Sequence, residues 1–270
     1  NNTLIIKILV GGVEYVTPNV SVCVNEDEVH YNPLVYPILK FTAEEANSPI
    51  QLNRVGTATT LANAVLQYST DNGETWNDYT YTVQGTQGYS GDTITLENVG
   101  DSVKFKGTNT TLGVSTSNYH QFVMTGKIKA TGDVTSLFNE VGYDIAMPSY
   151  GCYNLFRNCS SLTEAPTLPA TTLASYCYSN MFRGCTSLTA APELPATTLA
   201  NYCYSHMFNG CTNLNYIKAM FTTTPSSSNT KNWVSNVASS GTFVKNAEAT
   251  WSVTGANGIP NGWTVETATA

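Results

Sequence analysis

The C-terminal half of the chain has a 26-residue repeat, and this repeat constrains the fold more than any other feature. Cys159, Cys185 and Cys211 follow one another at that spacing, and the phrase APxLPATTLAxYCYSxMFxGCTxL ends just after the second and again just after the third. One such unit cannot bury its own apolar side, so successive units are expected to stack. Stacking would turn identical residues into continuous buried rows.

Each unit is predicted to contain one extended and one helical segment. Residues 188–194 are predicted to form a strand that ends at Pro195. A helical turn is predicted to follow, because Leu199, Cys203 and Met207 are four residues apart and would share one helix face. The strands are expected to be short, because each contains a proline that cannot donate to a ladder: Pro166 and Pro192.

The recurring centre of each unit is the pattern F-x-x-C-x-x-L. It occurs three times, in the triplets Phe156/Cys159/Leu162, Phe182/Cys185/Leu188 and Phe208/Cys211/Leu214. Over about residues 125–270 this pattern resembles the signature of BspA-like leucine-rich repeats of bacterial surface proteins, although the unit here is a little longer than is usual in that family. The resemblance implies an extracellular, often lipid-anchored adhesion or host-interaction protein with no catalytic activity.

The N-terminal half has a different pattern, an alternation of apolar and polar residues interrupted by turn signals such as Asp71-Asn72-Gly73. This pattern is typical of an antiparallel β-sandwich. The predicted strands cover residues 38–42, 50–52, 65–68, 79–83, 93–96, 103–106 and 121–124.

Together these patterns predict a mixed fold, in which an antiparallel β-sandwich precedes a short α/β leucine-rich-repeat solenoid of 26-residue coils. The predicted domains are an N-terminal strand and linker at 1–36, the sandwich at 37–124, and the repeat domain with its C-terminal cap at 125–270. Whether residues 1–36 add a strand to the sandwich is left open. Three tryptophans are expected to cover the end of the repeats: Trp233, Trp251 and Trp263.

Composition limits the partners and the location of the chain. Only 11% of the residues are charged, which favours an extracellular protein, and the net charge of −7 argues against nucleic-acid binding. No apolar run reaches the roughly 20 residues of a membrane helix, so no transmembrane segment is expected. A signal or lipoprotein peptide, with a possible lipid anchor, is expected upstream of Asn1.

Six of the seven cysteines lie in the repeats, where they suggest either a metal site or a buried row. The eight-residue gaps, such as Cys177 to Cys185, lack the C-x₂₋₄-C spacing of zinc knuckles, and no histidine lies at ligand spacing. Small apolar thiols in a buried row are therefore expected, with no metal and no cofactor. Disulfides between coils are left open, since stacked Cα atoms about 5 Å apart are within bridging range.

The segment from Ser69 to Trp76 matches S-x-D-x-G-x-T-W, the Asp-box of sialidase propellers. A propeller needs several blades, and this chain has one copy, so we interpret the motif as a hairpin-stabilising device. The match leaves a glycosidase as a remote alternative. In a glycosidase of that kind, three arginines would be the formal candidates for binding the carboxylate of a substrate: Arg54, Arg157 and Arg183.

For function, the sequence predicts a non-catalytic cell-surface protein that binds a protein partner through the repeat surface. His30, His120 and His206 lie in separate regions, and no nucleophile is matched with a base. Tyr178 and Tyr204 are offset by one residue from the cysteine face, so they are expected to point outward as tentative ligand contacts, with Tyr153 as a third member. Such a row could hold a sugar ring, which makes a glycan-binding surface module the alternative. In either case, the expected partner is a protein or glycan on a host or bacterial surface.

Overall fold

The computed structural model describes residues 37–56, 60–83, 88–139 and 145–268, together with the backbone of four short strands before residue 30. Residues 1–36 and 37–270 form two compact units. In the first unit, β1 (Ile6–Val10) pairs antiparallel with β2 (Val13–Thr17), and β3 (Val24–Asn25) pairs antiparallel with β4 (Glu28–Val29). The region predicted as one strand and a linker therefore contains two hairpin-like strand pairs.

The second unit begins with two six-stranded sheets. Their strands are β5 (Leu39–Ala43), β6 (Ser48–Val55), β7 (Leu66–Ser69), β8 (Asn77–Asp78), β9 (Tyr81–Val83), β10 (Gly88–Gly91), β11 (Ile94–Leu96), β12 (Ser102–Gly107), β13 (Gly113–Ser115), β14 (Asn118–Met124), β15 (Ile128–Thr131) and β16 (Leu162–Glu164). One sheet has the order β13-β14-β6-β10-β9, with β11 also paired to β6, and the other has the order β16-β15-β5-β12-β7-β8.

Alternating burial along these strands explains why they pair in this way. In β5, β6 and β12 every second side chain is buried, as expected where a strand turns one face to a core. Phe41, Phe105 and Phe122 meet edge to face between the two sheets, with ring centroids 4.9–5.8 Å apart. The prediction of a β-sandwich is consistent with these sheets, and each of the seven predicted strand segments overlaps an observed strand.

The predicted α/β leucine-rich-repeat solenoid, by contrast, is wrong. Among the described residues the one helical element is a 3₁₀ turn, Val134–Leu137, and no α-helix occurs in the repeats. The second unit is built from separate sheets and turns, so the α-helical half of each predicted coil is missing. The helical face expected from Leu199, Cys203 and Met207 does not form.

Successive turns that contain left-handed residues at regular intervals replace that helix. We call residues 149–158, 175–184, 201–210 and 227–236 the turn segments. In the first three segments three residues, four apart, have positive φ, as at Tyr202 (φ 55), His206 (φ 54) and Gly210 (φ 80). In the fourth segment two residues do, Asn232 (φ 49) and Asn236 (φ 59). A left-handed residue in every turn prevents a right-handed helix from continuing. The repeats therefore could not be helical, although their apolar spacing suggested it.

The backbone hydrogen bonds of the turn segments run between successive units. The N–H of Asn154 donates to the carbonyl of Ser179 (3.1 Å), and that of Asn180 donates to Ser205 (2.8 Å). Further along, the N–H of His206 donates to Lys231 (2.7 Å). Alternate residues instead donate to a carbonyl three residues earlier in the same segment. The repeated units thus lie one above another, joined by a ladder of turns.

The opposite side of the repeats is extended but poorly paired. The predicted strand at 188–194 contains only two isolated bridges, at Ala190 and Leu194, because Pro192 cannot donate at its centre. A continuous three-stranded parallel sheet follows the repeats. It consists of β17 (Tyr216–Ala219), β18 (Thr242–Lys245) and β19 (Thr264–Thr267).

One aromatic column joins the sandwich to the repeats. Phe122 of β14 stacks on Phe156 (5.3 Å, 9°), and the column continues through Phe182 and Phe208 to Trp233. The three tryptophans expected at the end of the repeats are buried, and each indole N–H donates to a backbone carbonyl. The sandwich and the repeats therefore share a continuous hydrophobic core.

Candidate binding face on the stacked repeats

The predicted core residues of the repeats lie inside the protein. The Phe, Cys and Leu members of all three triplets are at most 2% exposed, and they form rows from one unit to the next. Phe156, Phe182 and Phe208 are stacked with ring centroids 5.5 and 5.8 Å apart and planes tilted by 3°. These nine residues are therefore placed to hold the units together, and none of them can contact a ligand: Phe156, Cys159, Leu162, Phe182, Cys185, Leu188, Phe208, Cys211 and Leu214.

The six cysteines of the repeats are buried free thiols, and three of them donate to backbone carbonyls. Cys185 Sγ donates to the carbonyl of Phe156 and Cys211 Sγ to that of Phe182, each at 3.0 Å. Burial raises the pKa of the Cys211 thiol to about 12, which keeps it protonated. Among the described residues no group of side chains could hold a metal ion. Cys23 lies outside the described residues.

Tyr178 and Tyr204 are not ligand contacts, and their predicted orientation is wrong. Both are 1% exposed and stack on each other inside the repeats, with ring centroids 6.2 Å apart. Burial raises their pKa values well above the ordinary value for tyrosine. Without a helix, a residue next to Cys177 or Cys203 is not turned outward, so neighbouring Cys and Tyr side chains are both buried. Tyr153 is also buried.

A different set of tyrosines reaches the surface. Tyr150, Tyr176 and Tyr202 occupy equivalent, half-buried positions at the start of three turn segments. Their rings are stacked at 4.8 and 4.7 Å with planes tilted by 3° and 12°. We call these three residues the tyrosine row. Both faces of the middle ring are covered by its neighbours, so only an end of the row can offer a ring face to a ligand.

The row ends beside a cavity. One 26-residue interval after Tyr202 the tyrosine is replaced by Ser228, and both residues line a cavity of about 290 Å³. The other lining residues are polar: Ser227, Ser228, Lys231, Asn232 and Asn257. We call this the end cavity. An aromatic ring with hydrogen-bonding groups around it is a typical arrangement for a small polar ligand.

Hydrogen bonds hold the wall of the end cavity in place. Asn257 Oδ1 accepts from the backbone N–H of Asn232 (2.7 Å), and the Asn257 carbonyl accepts from Thr230 Oγ1 (2.7 Å). Asn232 Nδ2 lies 3.4 Å from Nε2 of His206, whose Nδ1 lies 2.9 Å from Ser205 Oγ. The pKa of His206 is lowered, mainly by partial burial and then by Arg183 and Lys231. These surroundings favour the neutral form of His206.

The turn segments carry no carboxylate, although the protein as a whole has a net charge of −7. Their charged side chains are Arg157, Arg183 and Lys231, all of them partly or fully exposed. The glutamates of the repeats lie instead on the extended side, where Glu193 pairs with Lys218 at 3.0 Å. We call the solvent-accessible surface of the turn segments the ladder face. Its own charged residues are all cationic, whereas the net charge of the protein is negative.

The Asp-box forms a local hydrogen-bonded turn. Asp71 accepts hydrogen bonds from the hydroxyls of Ser69 and Thr75 and from the Thr75 N–H, while Ser69 Oγ accepts from the N–H of Gly73. These donors hold the pKa of the Asp71 carboxyl well below its usual range. The Asp71 carboxylate is thus engaged within the turn, as expected for a hairpin-stabilising device.

The three candidate arginines are in different environments. Arg54 is buried in β6, where its guanidinium lies 3.6 Å from the centre of the Tyr89 ring and donates to the carbonyl of Leu61. Arg157 and Arg183 lie at equivalent positions of neighbouring turn segments instead. The Asp-box and these arginines are thus distributed over separate parts of the fold.

Comparison with known proteins adds no relative: no protein-family model, curated protein or solved structure matches the chain. Within the described parts of the chain, no helix has the length and hydrophobicity needed to cross a bilayer.

Sequence reasoning missed the end cavity, although a signal was present. Tyrosine recurs at 26-residue intervals up to Tyr202 and is then replaced by Ser228. That interruption of an otherwise regular row marks the position where the stacked rings stop and the cavity begins.

Proposed function

We propose that this protein is an extracellular interaction protein that binds an acidic protein partner through its ladder face. The main supporting observation is the segregation of charge, because the only charged side chains of the turn segments are cationic in an otherwise acidic chain. Arginine and tyrosine are also among the residues enriched at the energetic centres of protein interfaces. The ladder face presents Arg157, Arg183 and the tyrosine row together.

The stacked architecture suits this role. Each unit adds its turn segment beside the previous one, so equivalent side chains are repeated along a rigid surface. The hydrogen bonds between units and the buried phenylalanine column fix their spacing before a partner binds, which lowers the entropic cost of association. The extracellular location is part of the proposal and is supported by the low charged fraction of 11%.

The test is binding to a panel of purified acidic and basic extracellular proteins, immobilised and measured by biolayer interferometry. We expect binding to acidic members that weakens as salt is raised, because the attraction is screened. Arg157→Gln combined with Arg183→Gln should weaken it at least tenfold. Lys127→Gln with Lys129→Gln removes the same charge elsewhere and serves as the control.

The proposal is contradicted if the arginine variant, shown to be folded by its melting curve, binds as tightly as the original protein. It is also contradicted if the control pair weakens binding to the same extent, since the effect would then depend on net charge alone.

A further inference from the structure

The end cavity supports an inference beyond protein binding, because it is a pocket lined for a small ligand. Tyr202 is stacked on Tyr176 through one face of its ring, and one repeat later in the sequence Ser228 replaces the tyrosine, so no fourth ring of the row follows Tyr202. Successive rings in the row are 4.7–4.8 Å apart, and a single six-membered ring packed on Tyr202 would need a similar spacing. The cavity volume of about 290 Å³ is at the small end of ligand sites. The occupant should therefore be about one ring in size.

The chemistry of the wall indicates what kind of ring this is. Five of the six lining residues carry hydroxyl, amide or ammonium groups beside the Tyr202 ring, which argues against an apolar or aromatic occupant. A pyranose has both of the required surfaces, since its axial C–H bonds form an apolar face that packs on an aromatic ring while its hydroxyls hydrogen-bond at the rim.

The charge of the wall narrows the choice among sugars. Lys231 is exposed at the rim, and among the described residues it makes no salt bridge. No lining residue is a carboxylate, so the cavity is rich in donors and has no anionic acceptor for sugar hydroxyls. A ligand that brings its own carboxylate supplies the missing acceptor and pairs with the ammonium group. We propose that the end cavity binds a carboxylated pyranose, with Tyr202 as the stacking platform and Lys231 as the carboxylate-binding residue.

The test compares ligands that differ mainly in the carboxylate. Saturation-transfer NMR and titration would be carried out on the whole protein with methyl β-glucuronide against methyl β-glucoside, and with sialyllactose against lactose. Each carboxylated ligand is expected to bind at least tenfold more tightly than its neutral counterpart. Lys231→Gln should remove this preference, whereas Tyr202→Ala should weaken all binding at least tenfold.

Two controls separate loss of the site from loss of the fold. Tyr216→Ala removes another exposed tyrosine outside the cavity and should leave sugar binding unchanged. Ser228→Tyr places a bulky side chain in the cavity and should block binding, while Ser252→Tyr, at an exposed position outside it, should not. Melting curves of all the variants show which of them are folded.

Equal binding of the charged and neutral ligands, or no saturable binding of any of the four, would overturn the inference. So would full binding by Tyr202→Ala or by Ser228→Tyr. Because these residues differ from Arg157 and Arg183, failure of the sugar site would leave the protein-binding proposal standing. Conversely, weaker protein binding by the Arg157→Gln, Arg183→Gln variant would not by itself support the sugar site.

Discussion

Gly184 and Gly210 allow a direct measurement of what the left-handed turns contribute. They are equivalent residues of neighbouring turn segments, with φ values of +77° and +80°. A Cβ at Gly210 would meet only backbone atoms of Gly184, at 3.7 and 3.8 Å, which is ordinary contact. Gly210→Ala therefore isolates the conformational cost, which is about 1–2 kcal/mol for a left-handed alanine.

The same change at Gly184 should cost more. There the new Cβ would lie 2.5 Å from Oδ1 of Asn158, so that side chain would have to move. Asparagine tolerates the left-handed region, and it already occupies the equivalent position at Asn158 (φ 61) and Asn236 (φ 59). Gly210→Asn should consequently be less destabilising than Gly210→Ala.

The assay is urea denaturation followed by circular dichroism, with the free energy of unfolding compared at a constant m-value. The expected order of stability is the original protein, then Gly210→Asn, then Gly210→Ala, then Gly184→Ala. If Gly210→Ala were as stable as the original protein, or more stable than Gly210→Asn, the turn segments would not hold the left-handed backbone described above.

Three further predictions concern the core. Phe182→Ala removes a fully buried ring from the middle of the phenylalanine column and should lower the free energy of unfolding by about 3–5 kcal/mol, with Phe182→Leu costing less in the same urea assay. Burial lowers the pKa of His120 from 6.5 to about 4, so folding favours the neutral imidazole. The free energy of unfolding should therefore fall by about 3 kcal/mol as the pH drops from 6.5 to 4. This loss should be absent in a folded His120→Gln variant. In a Cys23→Ser background, the buried thiols such as Cys185 should react with a chromogenic disulfide reagent only as fast as the protein unfolds, and rapid labelling of the native protein would contradict their burial.

The repeat period and the sandwich strands were predictable because both depend on local pattern. The burial of the Phe, Cys and Leu rows followed from the 26-residue spacing, and the strands of the sandwich followed from alternation, as in β6. The conformation of the turn segments could not be predicted from the sequence pattern. Apolar residues four apart, such as Cys203 and Met207, fit both a helix and a turn that repeats every four residues, and periodicity cannot tell these apart.

Asparagine and glycine are the residues that distinguish the observed turns from a helix. Both are enriched in left-handed backbone, and they recur at the left-handed positions of the turn segments, at Asn154, Asn158, Asn180, Gly184, Gly210, Asn232 and Asn236. The outward orientation predicted for Tyr178 depended on helical geometry and failed with it. The end cavity could not be located either, because it depends on Asn257, which lies outside the turn segments and meets them only in the folded chain.

The ladder of turns also limits how a chain of this architecture can change its length. Alternate backbone donors in a turn segment are matched to carbonyls at a fixed place in the next unit, as between Asn154 and Ser179 or between Asn180 and Ser205. Inserting or deleting a few residues within a unit would misalign every such pair at that level, whereas gaining or losing one complete unit would restore them all. Duplication or loss of whole units is therefore the route by which such proteins are expected to grow or shrink during evolution.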